Sequence, residues 1–458
     1  MHRILLKGGT VVDSTGTRKC DVLVEGNDIS SIGEDLPASR GVLVLDCHGY
    51  IVSPGFVDLH THLRQPGYER AETVESGTRA AAAGGYTAVV CMPNTDPAID
   101  NASVVKDILA LSANASCQVV PAGAITVDRA GEQLAPMSEM KDLGVSIFTD
   151  DGRGVQDAAV MRRALEYASG LDVTLAQHCE VEQLSTGGVM HEGEWSSRLG
   201  LAGVPREAEE IMMARDIALA RLARARIHFM HVSTAMSTRL LQHAREEGLR
   251  VTAEVTPHHI SLTDAMLSDY DTVYRVNPPL RTAEDVYALR DAVAAGLLDA
   301  IATDHAPHAP EERDIPMDQA PPGMIGLETA LGVAITSLVK REWLPPHSGN
   351  VSQDAEASEE GVRTAPIGIA MLIGMLSQQP AAIAGLDAKH GGRQGGPLQP
   401  GAPANITVFD PDAGWVVDPA SLLSRSRNTP FAGMKLTGKV LHTIYEGELV
   451  YDNGQATR

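Results

Sequence analysis

The sequence predicts an α/β protein of repeated parallel β/α units, with a small β-domain assembled from the two ends of the chain. Two observations carry this. From Ile51 to about Leu331 short apolar runs alternate with alanine- and leucine-rich stretches at helical spacing. The first fifty and last fifty residues read instead as short strands separated by turns. Strands alternating with helices build parallel sheets, and eight such units close a TIM barrel; a doubly wound open sheet shows the same alternation.

Along the chain, I-L-L-K-G-G-T-V-V, D-V-L-V-E-G-N-D-I and V-L-V-L-D-C form the opening strands, punctuated by Thr-Gly, Gly-Asn and Asn-Asp turns. The middle strands are T-A-V-V-C-M, Q-V-V-P-A-G-A-I, V-S-I-F-T-D, V-T-L-A-Q-H, I-H-F-M-H-V, V-T-A-E-V-T and D-A-I-A-T-D. Between them lie helical segments such as Ala158 to Ala168, Glu207 to Ala223 and Thr234 to Glu247. Pro345 to Thr364 is polar, acidic and aperiodic and reads as a mobile surface insertion. The Gly- and Pro-rich run Gly391 to Pro403 reads as a second flexible connection. N-I-T-V-F-D, W-V-V-D and G-K-V-L-H-T-I-Y-E-G-E-L-V-Y then return to β-structure.

With 458 residues, 43% hydrophobic and 21% charged, the chain can bury a barrel-sized core and a smaller one. A formal net charge of −22 argues against nucleic acid or an anionic membrane as partner, since both require basic surface. A small anionic substrate stays compatible, because arginines or a metal inside a pocket override the global field. The longest apolar stretches, such as Ile367 to Leu376, are too short for a bilayer span and contain glycine. The N-terminus lacks a signal-peptide h-region, and the five scattered cysteines form no C-x-x-C pair, so a reduced, cytoplasmic setting is expected.

The most informative segment is V-D-L-H-T-H-L-R-Q-P-G, Val57 to Gly67. It ends an apolar run, so His60 and His62 are read on a strand, where side chains two apart share a face; Arg64 follows at the next such position. Two neutral imidazoles side by side are half a site for a divalent transition metal, most plausibly zinc. Further strands end in Asp150 and Asp151, in His178, in His231 and in Asp304. Barrel strands converge at their C-terminal ends, so these residues meet as a histidine-rich cluster containing carboxylates. Four histidines and a bridging carboxylate suit one or two metals, a pair lying about 3.5–4 Å apart. Such a centre activates water near neutral pH, and an aspartate beside it (Asp304) can pass a proton to a leaving nitrogen. The implied reaction is metal-assisted hydrolysis of an amide, or its reverse. His228 falls on the opposite strand face from His231 and reads as ordinary, as do His243, His347, His390 and His442. For His258 and His259, just past a strand end, a supporting role stays open.

Assembled, these motifs resemble the class I dihydroorotases of the amidohydrolase superfamily over nearly the whole chain. The shared segments are P-G-F-V-D-L-H-T-H-L-R-Q-P-G, G-G-Y-T-A-V-V-C-M-P-N-T, V-N-P-P-L-R, A-T-D-H-A-P-H, G-M-I-G-L-E-T and N-T-P-F-A-G-M-K-L-T-G-K-V. The resemblance implies a metal-dependent hydrolase TIM barrel over residues 53–385 and a composite β-domain from 1–52 and 386–458. It implies reversible cyclisation of N-carbamoyl-L-aspartate to L-dihydroorotate in pyrimidine synthesis, with one or two Zn²⁺ per subunit. The implied ligands are His60, His62, Asp151, His178, His231 and Asp304, with Asp304 also catalytic; Asp151 is preferred to Asp150 because the family's F-x-D-D-G motif uses the second aspartate. Arg64, Asn94 and His308 are expected to hold the substrate carboxylate. Asn277 and the backbone at Gly323 and Met324 are expected on the ring. Relatives such as hydantoinases bridge their metals with a carboxylated lysine, but V-S-I-F-T-D-D-G holds none, which favours the dihydroorotase branch. Alternatives are a hydantoinase or allantoinase, and an inactive scaffold for aspartate transcarbamoylase, which usually lacks metal ligands. Association with that enzyme or with further copies stays open. Asn405 stands where the family usually has aspartate.

Overall fold

The computed structural model describes residues 3–38, 40–342 and 366–458; the insertion expected at Pro345 to Thr364 lies outside them. The chain opens with β1 (Arg3–Asp13), β2 (Gly16–Glu25), β3 (Asp28–Gly33), β4 (Leu43–Asp46) and β5 (Ile51–Pro54). The barrel strands are β6 (Phe56–Thr61), β7 (Tyr86–Cys91), β8 (Gln118–Pro121), β9 (Ile147–Phe148), β10 (Thr174–Gln177), β13 (Ile227–Phe229), β14 (Val251–Val255) and β15 (Ala300–Ile301). A small parallel pair, β11 (Met190–His191) and β12 (Gly203–Val204), lies in the loop after β10. β16 (Ile406–Val416), β17 (Lys435–Tyr445), β18 (Glu448–Asp452) and β19 (Gln455–Ala456) complete the chain.

The barrel strands form parallel sheets in the orders β6-β7-β8 and β15-β14-β13-β10-β9. Parallel bridges Gly123–Phe148 and Thr61–His305 join the two sheets at both seams, so the eight strands complete a ring. Asp58 clamps the second seam: its carboxylate accepts from Thr303 N at 3.0 Å and Thr303 Oγ1 at 2.6 Å. The interior is filled by small and branched side chains, among them Val57, Leu59, Val90 and Ala300. The expected helices are present, with side-chain caps where the sequence offers them: Asp157 caps Ala158–Leu171 and Thr234 caps Ala235–Glu246.

One expectation needs correction. The apolar run around Ile367 to Leu376 belongs to a longer helical segment, Ile369–His390, which is long and apolar enough to cross a membrane. Half of its apolar window is buried in the protein. Ala381 and Ala384 join the barrel-interior cluster, and Ser377 Oγ donates to Gly55 O at 2.7 Å. Its hydrophobicity serves to plug the N-terminal end of the barrel.

Both termini share one nine-stranded sheet, ordered β19-β18-β17-β16-β5-β1-β2-β3 with β4 beside β1. Its junction is the antiparallel pairing of β16 with β5, Ile406 opposite Pro54 through Phe409 opposite Ile51. N-I-T-V-F-D and W-V-V-D form one strand rather than two, with register shifts on either side of Asp410. Pro411 has no N–H for the ladder, and Asp410 Oδ1 accepts from Asp412 N and Ala413 N instead. Asn405 donates from Nδ2 to Arg393 O at 3.0 Å and accepts from Glu446 N at 2.8 Å; aspartate would lose the first bond.

The terminal sheet packs on the barrel through aromatic side chains: Phe409 lies 6.1 Å from Phe56, which lies 5.9 Å from Tyr86, measured between ring centroids. All three are fully buried. Phe409→Ala is therefore expected to destabilise the protein by about 3–5 kcal/mol in chemical denaturation. A loss below about 1 kcal/mol would show that the sheet does not depend on this contact.

Candidate metal centre

Every strand-end residue singled out above arrives at the barrel mouth. β6 delivers His60 and, one step past its end, His62. The loops after β9, β10, β13 and β15 deliver Asp151, His178, His231 and Asp304, all buried. His60 Nε2 lies 3.4 Å from both Asp151 Oδ1 and Asp304 Oδ1. His62 Nε2 lies 3.0 Å from Asp304 Oδ1 and 3.6 Å from Asp151 Oδ2. His178 Nδ1 is 3.5 Å from Asp151 Oδ1 and 2.9 Å from His231 Nε2. Three overlapping triads have ligating atoms within 4.8 Å of one another: His60–His62–Asp151, His60–His231–Asp304 and Asp151–His178–His231. Asp151 belongs to two of them.

Strand phase left Asp150 and Asp151 undecided; hydrogen bonding separates them. Asp150 turns back into the barrel wall, accepting from Ile125 N at 2.9 Å, Thr126 N at 3.0 Å and the Thr126 hydroxyl. Asp151 has no such anchor and faces the histidines. The backbone is strained around this centre: Arg64, His231 and Asp304 have φ of 60°, 33° and 47°, which side-chain-bearing residues seldom adopt.

His60 Nε2 is buried and makes no hydrogen bond, although two carboxylate oxygens face it. A buried nitrogen lone pair aimed between carboxylates is what a cation would satisfy, so the donor set fits a divalent metal. The outer nitrogens point the same way. Asn94 Oδ1 accepts from His62 Nδ1 at 2.9 Å, which leaves Nε2 as the lone pair toward the centre.

A family model described as dihydro-orotase-like matches residues 49–237. The dihydroorotase of Pelotomaculum thermopropionicum is 46% identical over 450 residues, covering 98% of both chains. The dihydroorotase of Mycobacterium tuberculosis is 46% identical over 440 residues, 95% of this chain and 96% of that protein. The chain belongs to the dihydroorotase family. Among solved structures, dihydropyrimidinase from Brevibacillus agri NCHU1002 superposes with TM-score 0.81 at 25% identity, covering 99% and 96% of the two chains. L-hydantoinase from Arthrobacter aurescens superposes with TM-score 0.83 at 22% identity over 100% and 98%. Within the dihydroorotase family, the fold is thus that of the metal-dependent amidohydrolase barrels.

A cavity of about 940 Å³ opens beside the centre, walled by Arg64, Tyr68, Asn94, Arg129, Pro307 and His308. Arg64 donates from Nε to Pro307 O at 3.1 Å, and Arg129 from Nη1 to Asp151 O at 2.8 Å. Asn277 lines a separate space of about 80 Å³ with Glu180 and Pro322; its Nδ2 lies 3.4 Å from His178 Nε2. Gly323, at φ 141°, leaves no room for a side chain: a Cβ would sit 2.8 Å from both Ala306 Cβ and His308 Nε2. Its N donates to Arg275 O, its O accepts from Asn428 Nδ2, and Met324 O accepts from Ala306 N. These backbone groups are therefore engaged within the protein.

Sequence reasoning missed several partners. His228 is not ordinary: its Nε2 lies 3.0 Å from Glu254 Oε2, and Glu254 Oε1 lies 3.0 Å from His60 Nδ1. The signal was the glutamate inside the apolar strand V-T-A-E-V-T. Glu180 was also missed; burial pushes its pKa up, but His178 outweighs this and holds it at about 2. His259 is committed on both sides, with Thr256 Oγ1 of its own loop at 2.8 Å and Pro278 O of a later loop at 3.0 Å. His258, buried and held at about 4 by burial and by His231 and His60 against the pull of Asp304, is neutral beside the centre.

His308 Nε2 donates to Pro322 O at 2.9 Å, and burial with the neighbouring Arg64 holds its pKa down to about 3. A neutral ring with that bond presents Nδ1 as an acceptor, so gripping a carboxylate requires release from Pro322. The unfolded chain takes a proton near 6.5 that the native ring refuses until about 3. The stability His308 contributes is complete above that window and is lost as pH falls through it. Titration of its ring carbons by NMR should show no protonation between pH 6 and 4; a midpoint near 6 would contradict this environment.

Proposed function

We propose that this chain is a zinc-dependent dihydroorotase acting in the cytoplasm, interconverting N-carbamoyl-L-aspartate and L-dihydroorotate plus water. The observation that carries this reading is the meeting of four histidines and two aspartates, from five separate strand ends, beside a cavity walled by Arg64. The terminal sheet, residues 1–52 and 386–458, frames the hydrolase barrel of 53–385.

His60, His62, His178 and His231, with Asp151 and Asp304, would hold the metal; nitrogen-rich donors with carboxylates suit zinc. Asp151, shared between two triads, supports a site for two ions. The bound metal supplies Lewis-acid polarisation of the scissile carbonyl and activation of water. In the hydrolytic direction the ring amide C–N bond breaks, the carbon gains hydroxyl and the nitrogen gains a proton. Asp304 takes the proton from water and returns it to the leaving nitrogen; ring closure reverses these transfers. Arg64 holds the substrate carboxylate with a two-pronged guanidinium, and the Asn94 amide, whose carbonyl is engaged by His62, donates beside it. His308 joins them once it leaves Pro322. Asn277 is assigned to the ring edge, and the Gly323–Met324 backbone would join it once its bonds to Arg275, Asn428 and Ala306 rearrange. The carboxylate clamp favours dihydroorotate over a neutral hydantoin.

Spectrophotometric assay of dihydroorotate hydrolysis tests the reading. Chelation should abolish turnover and Zn²⁺ should restore it. Full activity in a verified metal-free sample, or faster turnover of hydantoin, would overturn the assignment. Asp304→Asn preserves size but not basicity, so its zinc-replete form should be slower by about 10²–10⁴. A near wild-type rate in that form excludes Asp304 as the proton carrier.

A further inference from the structure

Glu254 sits in β14 with no exposure, and both its carboxylate oxygens face imidazoles. Oε1 is 3.0 Å from His60 Nδ1, and Oε2 is 3.0 Å from His228 Nε2. His228 Nδ1 in turn lies 2.9 Å from Thr252 Oγ1. Local geometry explains the chain. Thr252 and Glu254 share a strand face two residues apart, and β13 pairs with β14 so that His228 is opposite Thr252.

With one proton on each ring, the state in which His60 can bind a metal, the hydrogens along this chain have one consistent arrangement. A carboxylate only accepts, so His60 donates from Nδ1 and His228 from Nε2. His60 Nε2 is then the lone pair, and it is this nitrogen that faces Asp151 and Asp304 without a hydrogen bond. In the same arrangement His228 Nδ1 accepts from the Thr252 hydroxyl. A merely structural account fits less well. Neighbouring strands fill the barrel with residues such as Val57, Leu59 and Ala300, and a buried charged network is often no more stable than an apolar layer of similar volume.

We infer that Glu254 and His228 are positioning residues of the metal centre: Glu254 fixes the tautomer and ring orientation of His60 and strengthens its Nε2 as a donor, and His228 holds Glu254 in place for that task. The inference rests on the metal-centre reading above. It reaches past the six proposed ligands to two residues that never touch the ion or the substrate.

The test is metal affinity, measured by chelator competition on the purified full-length protein with Zn²⁺, together with the visible absorption spectrum of the Co²⁺-loaded form. Glu254→Gln keeps the shape and one acceptor oxygen but removes the charge, so Zn²⁺ affinity should fall about 10–100-fold and the Co²⁺ bands should shift. His228→Gln should cause a smaller loss. Because His228 acts through Glu254, the double variant should bind no more weakly than Glu254→Gln alone. Phe409→Ala, destabilised at a distance, should keep wild-type affinity and spectrum, which separates positioning from general loosening. Wild-type affinity and spectrum in folded Glu254→Gln would overturn the inference, as would losses that simply add in the double variant. If Glu254→Gln does not fold, His228→Gln decides: unchanged affinity there overturns it. A wild-type protein that binds neither Zn²⁺ nor Co²⁺ overturns the metal-centre reading itself, and this inference with it.

Discussion

Asp151 and Asp304 are carboxylates withdrawn from water at the mouth of a closed barrel, and positive charge must be delivered to them there. Removing an ion from water costs several kcal/mol even after relaxation, so neither side chain is tolerable without a cationic partner. When no metal is bound, protons on His60 and His178 supply it: burial works against both, but the facing carboxylates, Asp304 and Asp151 at His60, outweigh it. Burial pushes the pKa of His178 down, but Asp151 and Glu180 outweigh it and hold it up at about 10. A metal cation displaces those protons, which couples occupancy of the centre to pH. Strained φ values at Arg64, His231 and Asp304 show that the surrounding fold, not local preference, holds the groups together.

The fold meets this demand by tying strand ends with further buried carboxylates. Asp58 joins β6 to Thr303 just before Asp304, and Asp150 ties the end of β9 to Ile125 and Thr126. Glu72 faces His305 Nε2 at 3.3 Å and accepts from Ser424 and Arg425 N. The last of these reaches into the C-terminal segment, where Asn428 donates to Ala306 O and Gly323 O and accepts from His308 N. The segment linking β16 to β17 of the terminal sheet therefore also sets the loop that carries His308. This gives a physical reason for the family motif around Asn428 to lie so far along the chain from the histidines it serves.

The barrel itself does not choose the substrate. Solved hydantoinases and dihydropyrimidinases superpose over nearly the full length at 21–25% identity, so the architecture is shared among amide hydrolases of different specificity. In this chain Asp151 is common to two of the triads, and a guanidinium walls the adjoining cavity. Specificity on this scaffold resides in a few side chains at strand ends and in the loops after them.

The sequence by itself determined the class of the fold and the composition of the centre. Periodicity separates strands from helices wherever one face is buried, and H-x-H at the end of an apolar strand states its chemistry within a few residues. Motif resemblance then turned an open α/β pattern into a barrel and selected Asp151. Other features were legible only in three dimensions, because they depend on which groups face one another across strands distant in sequence. Asp150 and Asp151 are equivalent until Thr126 claims the first. His228 looks like the wrong face of its strand until Glu254 is found between it and His60. The helix Ile369–His390 has the composition of a membrane span until the barrel end it plugs is in view. In each case the residue types were plain, but the partner that gives each its role is supplied by barrel closure, which brings strand ends separated by up to about 240 residues into hydrogen-bonding distance.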